Sequence, residues 1–218
     1  MTASLPSWRA PGRSACRRAD SERARPAPPV HGRAITPLKA ALAYARWGWP
    51  VMVGAATPGC YAAGLDSISG VLEPTTHLER IHQWWKKWPE AGIVTPVGEV
   101  FEAITLPIRV GERVLEALTE RGAWLGPVMS DDGTISLLIE SGQTGAWADS
   151  VDASRAELVH TGPGQLIVLP SGGTGENDHT RWVVPPTDAN VTRLPRFQEL
   201  SPILLNVHRA QQRKRWLR

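Results

Sequence analysis

A chain of 218 residues with 42% hydrophobic content can build one core of ordinary size and carry tails. It has no apolar run of about 18 residues and no apolar stretch behind its charged amino terminus, which argues against a membrane span or an export signal and for a cytoplasmic location. Cys16 and Cys60 lie far apart without metal-ligand spacing, so neither a disulfide framework nor a zinc site is expected. The net charge of +3 hides a strong division along the chain. Residues 1–35 carry seven arginines against Asp20 and Glu22, a net +5, and residues 208–218 carry another +5 with no acid. The stretch between them is therefore at −7, acidic where a nucleic-acid-binding fold usually presents a basic face.

The chain divides by composition into a basic tail over 1–35, a domain over 36–207 and a basic helix end over 208–218. The first 35 residues are rich in Arg, Ala, Pro and Ser and offer almost nothing to bury, so packing cannot offset the entropy of ordering them. At Thr36 the character changes. Thr36 suits a helix cap, Pro37 the first helical position, and Leu38, Ala41, Leu42 and Ala45 share a face up to Gly48. A buried strand is expected over 49–53 and a loop over 54–71. The next helix is signalled by a Thr76/Glu79 capping box, by Leu78, Ile81, Trp85 and Trp88 at helical spacing, and by Pro89 at its end.

Strands are expected over 92–97 and 100–106, parted by Gly98, and then a helix through Val110, Val114, Leu115 and Leu118 that ends at Gly122. Segments 124–129 and 134–139 read as a hairpin around Asp131-Asp132-Gly133. A short helix is expected within 141–156, strands over 158–160, 165–169 and 181–184, and a loop over 171–180. The carboxy-terminal segment 195–218 should end as a helix whose basic last turn suits the negative end of the macrodipole. This order predicts an α/β (α+β) domain with one mixed, largely antiparallel sheet and flanking helices.

Several residues suggest chemistry and have plainer explanations. Acids before a glycine are what a tight hairpin selects, so Asp131-Asp132 is read as a turn and not a metal pair. The run from Ser171 to Gly175 is glycine-rich but lacks the Gly-Lys-Ser/Thr ending of a phosphate loop and leads into a strand. Glu176, Asp178 and His179 fit a polar surface loop. His77 and His82, five apart on one helix, have the wrong spacing to share a metal ion. Of the ten tryptophans, Trp85 and Trp88 belong to the apolar helix face, while Trp84 beside Lys86 and Lys87 is placed to stack on a base. The basic ends would add salt-sensitive phosphate contacts.

The residues Ala40-Ala41-Leu42-Ala43-Tyr44, Gly48-Trp49-Pro50-Val51, Trp84-Trp85 and Trp88-Pro89-Glu90-Ala91 together resemble the N-terminal domain of bifunctional DNA primase/polymerases, the prim-pol relatives of archaeo-eukaryotic primases. The likeness continues through Gly162-Pro163-Gly164, the strand at 165–169 and Pro170-Ser171, and covers most of 36–190. In particular the chain is similar to short stand-alone members from high-GC bacteria that lack the downstream helicase, and its arginine-heavy composition with four lysines agrees. The resemblance implies an archaeo-eukaryotic primase-like fold. In active members two acids one residue apart on the strand after the Trp-rich helix hold divalent cations, a later His meets nucleotide phosphate, and a third acid completes the site. Here Thr105 and Pro107 align with the paired acids, the strand around Ser136 has no His, and Glu157 stands nearest to the third acid.

Three expectations follow from the resemblance and the residues. The first is a catalytically degenerate pseudoenzyme that acts as a nucleotide- or DNA-related binding or regulatory module, with no cofactor. The second is a weak or Mn²⁺-dependent primase/polymerase of DNA replication in which Glu102 and Glu157 hold Mg²⁺ or Mn²⁺. The third is a scaffold for another protein, motivated by the acidic core. His160, Trp84, Lys86 and Lys87 are the candidate nucleotide or nucleic-acid contacts.

Overall fold

The computed structural model describes residues 36–54, 73–143, 145, 158–172 and 180–216, with no account of the side chains of 208, 209 and 211–216. All of them fall in the compact unit Ala34–Arg218. The expected short helix within 141–156, Glu157, Cys16, Cys60 and the polar loop at 173–179 lie outside the described residues.

Helix α1, Pro37–Arg46, opens as its sequence dictates: Thr36 Oγ1 accepts from the Lys39 amide at 3.4 Å and Pro37 takes a first-turn position with no amide to satisfy. It ends at Trp47, and Gly48 at φ +80° turns the chain into β1, Met52–Gly54. Helix α2, Leu78–Lys87, starts one residue later than the Thr76/Glu79 box would require. Val51 and Thr75 exchange both backbone hydrogen bonds in an isolated bridge, at 2.9 and 3.0 Å, which holds the chain extended up to the helix. His77 becomes the cap position without a side-chain bond, and Thr75 Oγ1 accepts from the His77 amide instead. Trp88, before Pro89, leaves the helical region at φ −131° and ψ 75°.

Strands β2, Gly92–Pro96, and β3, Phe101–Pro107, are separated by Gly98 at φ +110°. A Cβ there would lie 2.5 Å from the Pro163 Cα, so both backbone angle and close approach demand glycine. Helix α3, Ile108–Glu120, follows directly and ends before Gly122 at φ +60°. Of the expected strand 124–129 only Val128 and Met129 are ladder-paired, in β4, Val128–Ser130, which begins after Pro127, a residue with no amide to contribute. The hairpin to β5, Thr134–Glu140, turns on Asp131, whose Oδ1 accepts from the Gly133 and Thr134 amides at 2.9 and 2.7 Å.

Strands β6 (Val159–Thr161), β7 (Leu166–Leu169) and β8 (Arg181–Val184) come next, followed by a helix without a counterpart among the sequence expectations. This is α4, Asp188–Thr192, opened by a reciprocal capping box between Thr187 and Asn190. The last helix, α5, spans Phe197–Trp216. Pro202 lies inside it and offers no amide to the Gln198 carbonyl, which receives the Ser201 hydroxyl at 3.4 Å.

The described strands do not join in the one mixed, largely antiparallel sheet that the chain was expected to form. Among the described residues it forms a three-stranded sheet in the order β1-β2-β7 and a five-stranded sheet in the order β6-β3-β5-β4-β8, with every pairing antiparallel. The α+β class stands. Side-chain alternation gives the large sheet two faces. Ile104, Leu106, Val128, Ile135, Leu137 and Ile139 pack with α3 and α5 in one core. Phe101, Ala103, Met129 and Leu138 join the small sheet, α1 and α2 in the other.

The tryptophans concentrate in this second core. Tyr44 and Trp49 stack with centroids 5.6 Å apart, Trp49 meets Phe101 edge-on at 4.8 Å, and Trp182 meets Tyr44 at 6.2 Å. Tyr44 Oη donates to the Pro170 carbonyl at 2.6 Å and accepts from Trp182 Nε1 at 2.9 Å, which ties α1, β7 and β8 together.

Candidate functional site: a hydroxyl-lined groove

Strand β3 lies between β5 and β6, so the direction of each of its side chains follows from register. Thr105 is opposite Ser136 on one side and Val159 on the other, with Ala103 opposite Thr161. These residues share the face that looks toward the small sheet, and between them and β7 runs a groove of about 230 Å³. Its hydroxyls come from Thr105, Thr134, Ser136, Thr161 and Thr180, and its apolar wall includes Met129, Ile167 and Val168. Thr105 Oγ1 and Ser136 Oγ are hydrogen-bonded at 2.8 Å. Asp131 is the one carboxylate among the described lining residues, and both its oxygens are committed to its own turn: Oδ1 to two amides and Oδ2 to the Thr134 hydroxyl at 3.0 Å.

Ser130 touches the same groove, but alternation places its side chain with Val128 on the helix side of the sheet. Its hydroxyl is buried there without a hydrogen-bond partner in a residue only 3% exposed. Such a group costs about 1–3 kcal/mol.

The described site candidates do not converge on the groove. Glu102 is one residue off the Thr105 face and is fully buried. Its Oε2 lies 2.7 Å from His160 Nε2 and its Oε1 accepts from the Gly142 amide at 2.9 Å. His160, opposite Ile104 in the ladder, belongs to that same face. The structure thus joins two candidates that the sequence had assigned to different roles, and it does so on the side of the sheet away from Thr105. The reason is the two-residue period of a strand: positions 102 and 105 cannot look the same way.

Trp84, expected as an exposed stacking platform, is corrected to a core residue: it is 8% exposed and packs in the cluster formed by α1, α2 and the small sheet. Its helix packs against both α1 and β1, so the covered face takes in Trp84 with Ile81 and Trp85, while Leu78 of the expected stripe is left 39% exposed. Trp85, also buried, donates from Nε1 to the Ala91 carbonyl at 3.1 Å. Lys86 and Lys87 are exposed on α2, with Lys87 Nζ 4.5 Å from the centroid of the Trp88 ring. Sequence reasoning missed Thr161 and Thr180. A hydroxyl on a short strand carries no signal until pairing shows which face it joins.

The model of the bifunctional DNA primase/polymerase N-terminal domain matches residues 41–197. The chain belongs to the prim-pol family. No curated protein and no solved structure matches the chain. Within this prim-pol domain the motif residues near the amino terminus are structural: Tyr44 and Trp49 form the aromatic core, and Pro163 seats beneath Gly98.

Active members of the family imply divalent cations in this region, but the described groove residues do not fit one. A hard cation needs several oxygen ligands that include free carboxylates. Thr105 and Pro107, expected to correspond to the paired acids, carry no carboxylate, and Asp131 is already engaged. Among the described residues no group of three His, Cys, Asp or Glu side chains is placed to hold a metal ion. Likewise, no described helix is long and apolar enough to cross a membrane.

Proposed function

We propose that this prim-pol domain is catalytically degenerate and serves as a nucleotide- or DNA-related binding or regulatory module. The observation that supports this reading is the Thr105–Ser136 hydroxyl pair in the groove, where metal-dependent nucleotidyl transfer would require carboxylates held free for cations. Cation bridging of phosphate oxygens carries most of that reaction, and hydroxyls bonded to each other cannot supply it. The burial of Glu102 on the opposite face, held by His160 and Gly142, is a second support, because it commits the carboxylate to structure.

The test is primer synthesis and extension by the purified chain at low salt, with Mg²⁺ and Mn²⁺ in parallel. No product is expected with either metal from folded protein. A product abolished by Glu102→Gln together with Glu157→Gln would establish instead the Mn²⁺-dependent polymerase that uses those two acids. Glutamine keeps the hydrogen-bonding shape at position 102, so loss of activity would not merely report unfolding.

A further inference from the structure

We infer that the groove between β7 and the large sheet binds an uncharged nucleoside moiety in preference to a nucleoside triphosphate. The inference rests on the reading of the chain as a binding module and names the chemistry of the occupant. Size is the first argument. At about 230 Å³ the groove is smaller than the roughly 300–1,000 Å³ pockets that enclose drug-sized ligands, so it admits a base with part of its sugar and not an extended triphosphate.

Hydrogen bonding is the second argument. The Thr105 and Ser136 hydroxyls are 2.8 Å apart and share one proton between them, which leaves the other hydroxyl hydrogen of the pair to donate elsewhere. Thr161 and Thr180 add hydroxyls that make no hydrogen bond among the described residues, and Thr180 is 7% exposed. A hydroxyl both donates and accepts. Several of them on one wall therefore match the mixed donor and acceptor edge of a base or the hydroxyls of a sugar.

Apolar side chains supply the face of a ring with its contact. Met129, beside Ser136 on the large sheet, is polarisable and adapts to flat aromatic surfaces, and Ile167 and Val168 of β7 face it from the opposite wall. Charge then excludes phosphate. No Lys or Arg is among the described lining residues, and the one charged group is the Asp131 carboxylate. A triphosphate placed here would meet no cation and would face like charge, whereas charge-assisted partners are what phosphate sites are built from.

The experiment is calorimetric titration of the full chain with thymidine, adenosine and their triphosphates, the latter with and without Mg²⁺. Nucleoside binding is expected to be at least about tenfold tighter than triphosphate binding, a difference of roughly 1.4 kcal/mol. Ser136→Ala and Thr180→Val should each weaken the nucleoside about fivefold or more, in variants whose melting temperature shows a folded protein, while Glu116→Ala on the exposed face of α3 should change nothing. Competition by a single-stranded oligonucleotide but not by its abasic counterpart would assign the moiety to a base in a strand, and no competition by either would assign it to a free nucleoside.

Equal or tighter triphosphate binding, insensitivity to both groove substitutions, or no nucleoside binding by folded protein would overturn the assignment. Primer synthesis by the same preparation would overturn the degenerate reading by itself, and triphosphate preference without synthesis would overturn only the groove's ligand.

Discussion

Ser130 and Glu102, on strands separated by β5, show how two polar residues meet different fates inside one core. The Ser130 hydroxyl is buried with no partner, so Ser130→Ala should stabilise the fold by about 1 kcal/mol, read as a raised midpoint in urea with an unchanged slope. Glu102 has partners on both oxygens, so its truncation acts in the opposite sense. Glu102→Ala removes the fully buried member of the pair and takes a partner from both His160 and the Gly142 amide, and should cost about 3 kcal/mol or more in the same measurement. Glu102→Gln, which retains both hydrogen-bonding positions, should cost clearly less. Equal losses for the two variants would show that the carboxylate itself, which neither keeps, holds the pair, and that shape and neutral hydrogen bonds do not suffice. The sequence marked Glu102 as an acid near the right strand, but the face it occupies depends on a one-residue offset that register decides.

Gly98 links the two sheets at the scale of elements. Sequence placed it between two strands, and there it is found, at a backbone angle side-chain-bearing residues avoid and in contact range of Pro163. Gly98→Ala combines the strained angle with the steric overlap, so a loss of about 2 kcal/mol or more is expected from denaturant unfolding. Gly122→Ala, at φ +60° with open space around its Cβ, should cost about 1 kcal/mol, because only the backbone term applies.

Helices α1 and α3 were legible because apolar spacing at 3.6 residues is a local property. The start of α2 was not, since the bridge between Val51 and Thr75 comes from chain 24 positions away and overrides the local Thr76/Glu79 signal. Helix α4 escaped notice for a related reason. Its five residues carry no period, and only the Thr187/Asn190 box announces it.

At the scale of the whole molecule, charge and packing are separately distributed. The acidic stretch between positions 36 and 207 builds the fold, and basic residues gather at the two ends. DNA affinity supplied by those ends would be electrostatic and independent of sequence. Replacing Arg213, Lys214 and Arg215 together by Gln should lower the slope of log affinity against log salt by about 2 to 3 and weaken all DNA sequences alike, as measured by fluorescence anisotropy. A change confined to one sequence would point to base contacts instead.

What the sequence alone determined was the family, the α+β class and most elements, because helical periodicity, alternation, prolines and glycines act over a few residues and the Trp-rich motifs persist as contiguous text. What the tertiary structure alone decided was that the strands divide into two antiparallel sheets, that Trp84 is buried, that Glu102 and His160 form a pair, and that Thr105, Ser136, Thr161 and Thr180 share a groove. Each of these depends on which strand lies beside which and in what register. That choice is made by long-range packing, in which a shift of one residue sends every side chain to the opposite face.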